Sequence, residues 1–82
     1  MIYKTKGVCS VQIEFELEDS PEGKRVHNVR YTGGCNGNLQ GVGRLVEGML
    51  AEEVIRRLEG IRCGFKNTSC PDQLAQALKQ CQ

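Results

Sequence analysis

The chain has no tryptophan, and its aromatic residues are Tyr3, Phe15, Tyr31 and Phe65 alone. In 82 residues that leaves little bulk for a hydrophobic core, and a domain of this size buries only about 60% of its unfolded surface. Small cores poor in large rings commonly need a staple, either a metal or disulfides. An excess of charge of one sign is lacking as well, since 11 basic residues against 10 acidic ones leave a net charge of +1. Phosphate backbones are held by a basic excess or stripe, so the balance argues against nucleic acid as the main partner. No apolar run approaches a membrane span. Met1 to Ser10 carries lysines without an apolar centre, unlike a secretory signal. The expected compartment is therefore the cytoplasm. A large cofactor barrel or a doubly wound sheet does not fit in this length, and residues 1–82 read as a single domain.

What the chain has in quantity is cysteine: Cys9, Cys35, Cys63, Cys70 and Cys81. In a reducing compartment, cysteine at this density more often binds metal or does redox work than forms structural disulfides. An odd count also leaves one thiol over in any pairing scheme.

Hydrophobic periodicity places the cysteines on elements. Val11, Ile13, Phe15 and Leu17 alternate with Gln12, Glu14, Glu16 and Glu18, which predicts a half-buried strand. Cys9 shares the parity of the apolar set and is expected to face the core. Asp19 to Lys24 is a turn cluster. Arg25 to Thr32 predicts a second strand, with Val29 and Tyr31 in phase; Val26 is out of phase, which implies a bulge near His27-Asn28. Ile2, Tyr3 and Thr5 suggest a short third strand. Gly33, Gly34 and Gly37 around Cys35 mark a tight turn with unusual backbone angles. Leu39, Val42, Val46 and Met49 then recur at helical spacing, predicting a helix from about Asn38 to near Gly48. Leu50, Val54 and Leu58 predict a second helix over Ala51 to Leu58, stopped by Gly60. Pro71 suits the first position of a third helix, with Cys70 before it, Asp72 in its first turn, and Leu74, Leu78 and Cys81 on one face. Strands first and helices after predict an α+β layer: a small antiparallel sheet of two or three strands with three helices packed on one face.

Cys35 and Cys70 thus fall near helix N-termini, where backbone N–H groups and the macrodipole favour thiolate, the form that binds metal and attacks electrophiles. Four thiolates, from Cys9, Cys35, Cys63 and Cys70, could meet at one end of such a layer. A tetrahedral set of four suits Zn²⁺, with Zn–S near ~2.3 Å, or an iron–sulfur cluster. Their spacing, C-x25-C-x27-C-x6-C, contains no C-x-x-C pair and matches neither zinc ribbons nor ferredoxins. Spacing alone therefore leaves buried packing thiols and redox thiols beside the metal reading. An exchangeable pair would be Cys63 with Cys70, or would use Cys81 near the end. Cys81 itself reads as a packing or idle thiol. His27, the single histidine, reads as a solvated side chain, and Glu52, Glu53, Arg56, Arg57 and Glu59 as a solvated helix face with i,i+4 pairs. Gly33 to Asn38 follows a strand like a phosphate-binding turn. It has neither the G-x-G-x-x-G order nor the P-loop Lys-Ser/Thr, and nucleotide binding there stands as a third reading.

At Thr68-Ser69-Cys70-Pro71-Asp72 the chain resembles the TSCPD domain family, named for those five residues. The resemblance runs nearly end to end through Lys6-Gly7-Val8-Cys9, Gly33 to Leu39, Gly60-Ile61-Arg62-Cys63-Gly64 and Thr68 to Leu74. That family occurs as short stand-alone bacterial proteins and as the C-terminal region of adenosylcobalamin-dependent ribonucleotide reductases. The resemblance implies a link to deoxyribonucleotide synthesis, with a reductase or another protein acting in trans, because a chain this short has no room for the catalytic barrel of those enzymes. The order of cysteines and elements is also similar to the iron–sulfur cluster assembly scaffold proteins and implies their fold. Their three metal-holding cysteines would correspond to Cys9, Cys35 and Cys70. Those scaffolds carry an aspartate where this chain has Gly37 and a histidine where it has Ser69, and they have a chaperone-binding loop that is missing here. Cys63 would then supply the fourth ligand, and a closed set of four thiolates suits a stable metal better than a transferable cluster.

Overall fold

The computed structural model describes residues 1–8, 10–34, 36–64 and 66–81; Cys9, Cys35, Phe65 and Gln82 lie outside it. Three strands and three helices follow one another, β1 (Ile2–Lys4), β2 (Ser10–Ser20), β3 (Gly23–Gly33), α1 (Asn36–Val46), α2 (Ala51–Leu58) and α3 (Cys70–Gln80). The sheet is antiparallel in the order β1-β2-β3. This is the α+β arrangement that the pattern predicts, with the third strand present over Ile2–Lys4.

β2 and β3 are joined by Pro21-Glu22 alone, tighter than the six-residue turn cluster suggests. Gly23 closes the turn at φ 134°, and the Ser20 hydroxyl donates to its carbonyl. Two register shifts interrupt the ladder. The first is the one that Val26 announces: Glu14 pairs with Arg30 and Glu16 with His27, so β3 carries an extra residue, and Asn28 sits there in the left-handed region at φ 55°. The second is unannounced. Ser10 pairs with Gly33 and Gln12 with Thr32, so Val11 is the extra residue of β2. The bulge reverses the expected parity: Val11 is 57% exposed, while Ser10 is buried. The inward expectation for Val11 is therefore corrected, and the parity argument does not reach back past the bulge to Cys9, which lies outside the described residues.

The helices cover the sheet face that carries Ile13, Phe15 and Val26. Val46 of α1, Ala51, Val54 and Ile55 of α2, and Leu74, Ala77 and Leu78 of α3 complete one buried cluster. Each fully buried aliphatic side chain contributes about 1.5–3 kcal/mol. On the other face Glu14, Glu16, Glu18 and Arg30 stay exposed, as a half-solvated strand requires. α1 approaches β3 closely at Gly43, where a Cβ would stand 2.8 Å from the Val29 carbonyl oxygen. It also starts two residues earlier than the periodicity suggests, so Gly37 belongs to the helix rather than to the turn; Gly33 and Gly34 take left-handed angles there. The free edge of β3 is closed by the segment after α1: Val26 N–H donates to the Met49 carbonyl (2.8 Å), and Gly48 N–H donates back to the Val26 carbonyl (2.7 Å). The face of α2 behaves as expected, with Glu53 paired to Arg56 and to Arg57 (2.7 Å).

Candidate functional site

The site assembles at the N-terminal end of α3, where four segments meet. Ser69 caps the helix in an extended conformation, and its hydroxyl accepts the Asp72 N–H at 3.1 Å. An N-cap of this kind is worth about 1 kcal/mol. Cys70 opens the helix and Pro71 follows it, one residue later than its ring alone suggests; both positions lie where helical N–H groups have no internal partner. Asp72 does more than favour the helix dipole. Its carboxylate accepts the Gly60 N–H at 2.8 Å, the Thr68 hydroxyl and the Gln76 amide at 3.3 Å. Burial acts to raise its pKa, but those donors, with the Lys79 charge, outweigh burial and hold the carboxyl below its ordinary range. Gln73 donates to Thr68 Oγ1 (3.0 Å) and accepts the Lys6 N–H (3.0 Å), tying the segment after β1 into the same network.

Cys70 is the centre of this end of the molecule. Its thiol is free and 8% exposed. Sγ lies 3.1 Å from the hydroxyl oxygen of buried Ser10 at the start of β2. Its carbonyl accepts the Tyr31 hydroxyl from β3 at 3.0 Å. Burial, and then the Cys70 charge, push the Tyr31 phenol well above its ordinary range, so it remains a donor. Cys63 is exposed on the loop before α3. Its N–H donates to the Thr68 carbonyl (3.1 Å) and its carbonyl accepts the Lys66 N–H (3.0 Å), with Gly64 at φ 58° completing the turn. The loop therefore folds back on Thr68, two residues before Cys70.

Of the four expected ligands, Cys63 and Cys70 thus flank the same helix start. Cys9 and Cys35 lie outside the described residues, although their chain neighbours are informative: Ser10, which follows Cys9, pairs with Gly33, which precedes Cys35 by two, and touches Cys70. Among the described residues no three of histidine, cysteine, aspartate and glutamate gather into a metal-binding group. Cys81 is separated from Cys70 by the length of α3, roughly 16 Å at 1.5 Å per residue. It is half-buried against the core on the face of Leu74 and Leu78, as its spacing predicts, with its sulfur 3.4 Å from that of Met1. His27 is less solvated than expected: Nδ1 lies 2.6 Å from Glu47 and Nε2 lies 3.3 Å from Glu18.

Sequence reasoning misses Ser10, Tyr31 and the Thr68–Gln73 network. Nothing in the periodicity flags Ser10, which reads as an outward polar residue. For the Thr68–Gln73 network the clue lies in the five-residue signature, since Thr68, Ser69 and Asp72 are all residue types whose side chains bond to backbone at helix starts. None of the described helices is long and apolar enough to cross a membrane. Comparison with the curated proteins and with the solved structures found no match. The sequence model of the TSCPD domain, by contrast, matches residues 1–82, and the chain belongs to the TSCPD domain family.

Proposed function

We propose that the chain is a small metal-binding module in which Cys9, Cys35, Cys63 and Cys70 hold one ion, and that it works beside a ribonucleotide reductase in the synthesis of deoxyribonucleotides. One observation carries the reading. Ser10, the residue after Cys9, pairs with Gly33 and touches Cys70, which supports a shared site at the helix start that Cys70 opens. The described donors fit a metal that prefers sulfur. Cys70 is a free, shielded thiol, and Cys63 sits on a turn anchored to Thr68. Zinc suits such a set best, and an iron–sulfur cluster is the second choice. An ion closed in by four thiolates has no open position, so it supplies a cross-link rather than a Lewis acid. The module's role is then structural and interactive.

Elemental analysis and an absorption spectrum of protein purified without oxygen or chelator test this directly. The expected result is close to one zinc per chain and no visible absorbance. Cys70→Ser and Cys35→Ser are each expected to lose the metal and several degrees of melting temperature together. Metal content unchanged in both variants would refute the reading, and iron with sulfide would redirect it to a cluster carrier.

A further inference from the structure

Ser10 is a buried hydroxyl where the strand pattern calls for an outward side chain. With unbroken alternation, residue 10 would share the face of Gln12 and Glu14, and Val11 would pack inward beside Ile13. The β2 bulge exchanges them: Ser10 is 4% exposed and Val11 57%. A valine is turned out to solvent so that a hydroxyl can be turned in. Bulges re-aim side chains and gather near functional sites, and places where a sequence breaks its own pattern are where function is expected. The Ser10 hydroxyl meets the Cys70 sulfur at 3.1 Å, while its backbone is held separately, by pairing with Gly33 and by the Thr5 hydroxyl on its carbonyl. Among the described residues no buried side-chain nitrogen or oxygen is left without a partner, so Ser10 is satisfied by this contact.

Direction follows from chemistry. A ligated cysteine is a thiolate, which accepts hydrogen bonds and donates none, whereas a serine hydroxyl carries one proton that it can turn to suit. Bonds to a ligating atom from beyond the metal's own ligands orient that atom and tune its affinity. We propose that Ser10 is a positioning residue of the metal centre: its hydroxyl donates to the Cys70 sulfur once that sulfur is bound to metal, and the bulge at Val11 is what aims it. This inference rests on the metal reading above and adds a residue that is not itself a ligand.

The test compares Ser10→Ala and Ser10→Thr with the unmodified full chain. Zinc affinity is read by competition with a chromophoric chelator, and the thiolate-to-metal charge-transfer band is read after loading with cobalt. Ser10→Ala is expected to keep one metal per chain, to bind zinc about 10–100-fold more weakly and to shift the band. Ser10→Thr, which keeps the hydroxyl, is expected to restore both. Affinity and band unchanged in Ser10→Ala would overturn the proposal, and so would equal weakening in Ser10→Thr, which would point to packing instead. A substitution-free reading guards against loss of fold: in the unmodified chain loaded with cadmium, the Ser10 hydroxyl proton should show scalar coupling to the metal through sulfur, and its absence would count against the bond. Metal lost in Cys70→Ser but held at full strength in Ser10→Ala would remove this inference alone, whereas metal kept in both Cys70→Ser and Cys35→Ser would remove the reading beneath it.

Discussion

Two side chains contribute pH dependences of opposite sign to stability. His27 stands between Glu47 and Glu18, and Glu47 also accepts the N–H of left-handed Asn28 at 2.8 Å. The hydrogen bond to Glu47, followed by that to Glu18, raises the His27 pKa above its ordinary value. A raised value means that the stabilisation is complete below the unfolded pKa, about 6.5, and is lost as pH rises through the folded one. Asp72 has the opposite sign. Its lowered pKa contributes stability that is complete above the unfolded value, about 3.9, and is lost as pH falls through the folded one. Urea midpoints measured from acid to alkali should therefore form a plateau with two falling arms. Glu47→Gln should flatten the upper arm, and Asp72→Asn should flatten part of the lower one. The upper arm should shrink with added salt, because the His27 cluster is near solvent. An alkaline arm unaffected by Glu47→Gln would show that His27 is not its source. At this scale the sequence was partly legible. The position of Cys70 could be read from Pro71 and the helix pattern, but the carboxylate network of Asp72 could not. Its partners Gly60 and Thr68 meet it only after the loop has folded.

At the level of elements, the glycines of α1 divide by what lies next to them. Gly43 faces the Val29 carbonyl so closely that a methyl group there would force α1 away from β3. Gly41, in the same helix, has nothing within 4 Å of a built Cβ. Gly43→Ala is expected to destabilise by about 1–3 kcal/mol through overpacking, and Gly41→Ala to stabilise by about 0.5–1 kcal/mol through helix propensity. Thermal melts of the two variants should move in opposite directions; a rise in both would mean that propensity alone governs both sites. Most elements were legible, because Ile13, Phe15, Val54, Leu74 and Leu78 keep the period of their element. The bulge at His27-Asn28 was legible for the same reason, since Val26 breaks phase. The bulge at Val11 was not: Cys9, Val11 and Ile13 alternate without fault in the sequence, and only pairing with β3 shows the extra residue. The periodicity puts the start of α1 two residues late because Gly37, next to two turn glycines, reads as turn.

For the molecule as a whole, the buried cluster joins all three helices to the sheet without a contribution from Cys63 or Cys70. The core is small but continuous, which distinguishes the chain from zinc fingers that unfold when the metal leaves. Chelation of the proposed ion is expected to leave the far-ultraviolet circular dichroism spectrum intact at room temperature and to lower the melting temperature. Zinc restored at about a hundred times its Kd should return roughly 2.7 kcal/mol. Collapse of the spectrum on chelation would instead assign the metal a share of the core itself.

The hydrogen bonds that close the site also join distant parts of the chain. The Lys6–Gln73 bond spans 67 residues, Ser10–Cys70 spans 60 and Tyr31–Cys70 spans 39. Long-range contacts of this kind are slow to form, because the entropy of closing the intervening loop must be lost before they reward it. On a ribosome adding about 5–20 residues per second, the β2–β3 segment is synthesised seconds before its counterpart helix. Ser10 and the strand ends are made long before Cys70, and the bonds that join them to the start of α3 are among the last in the protein to form.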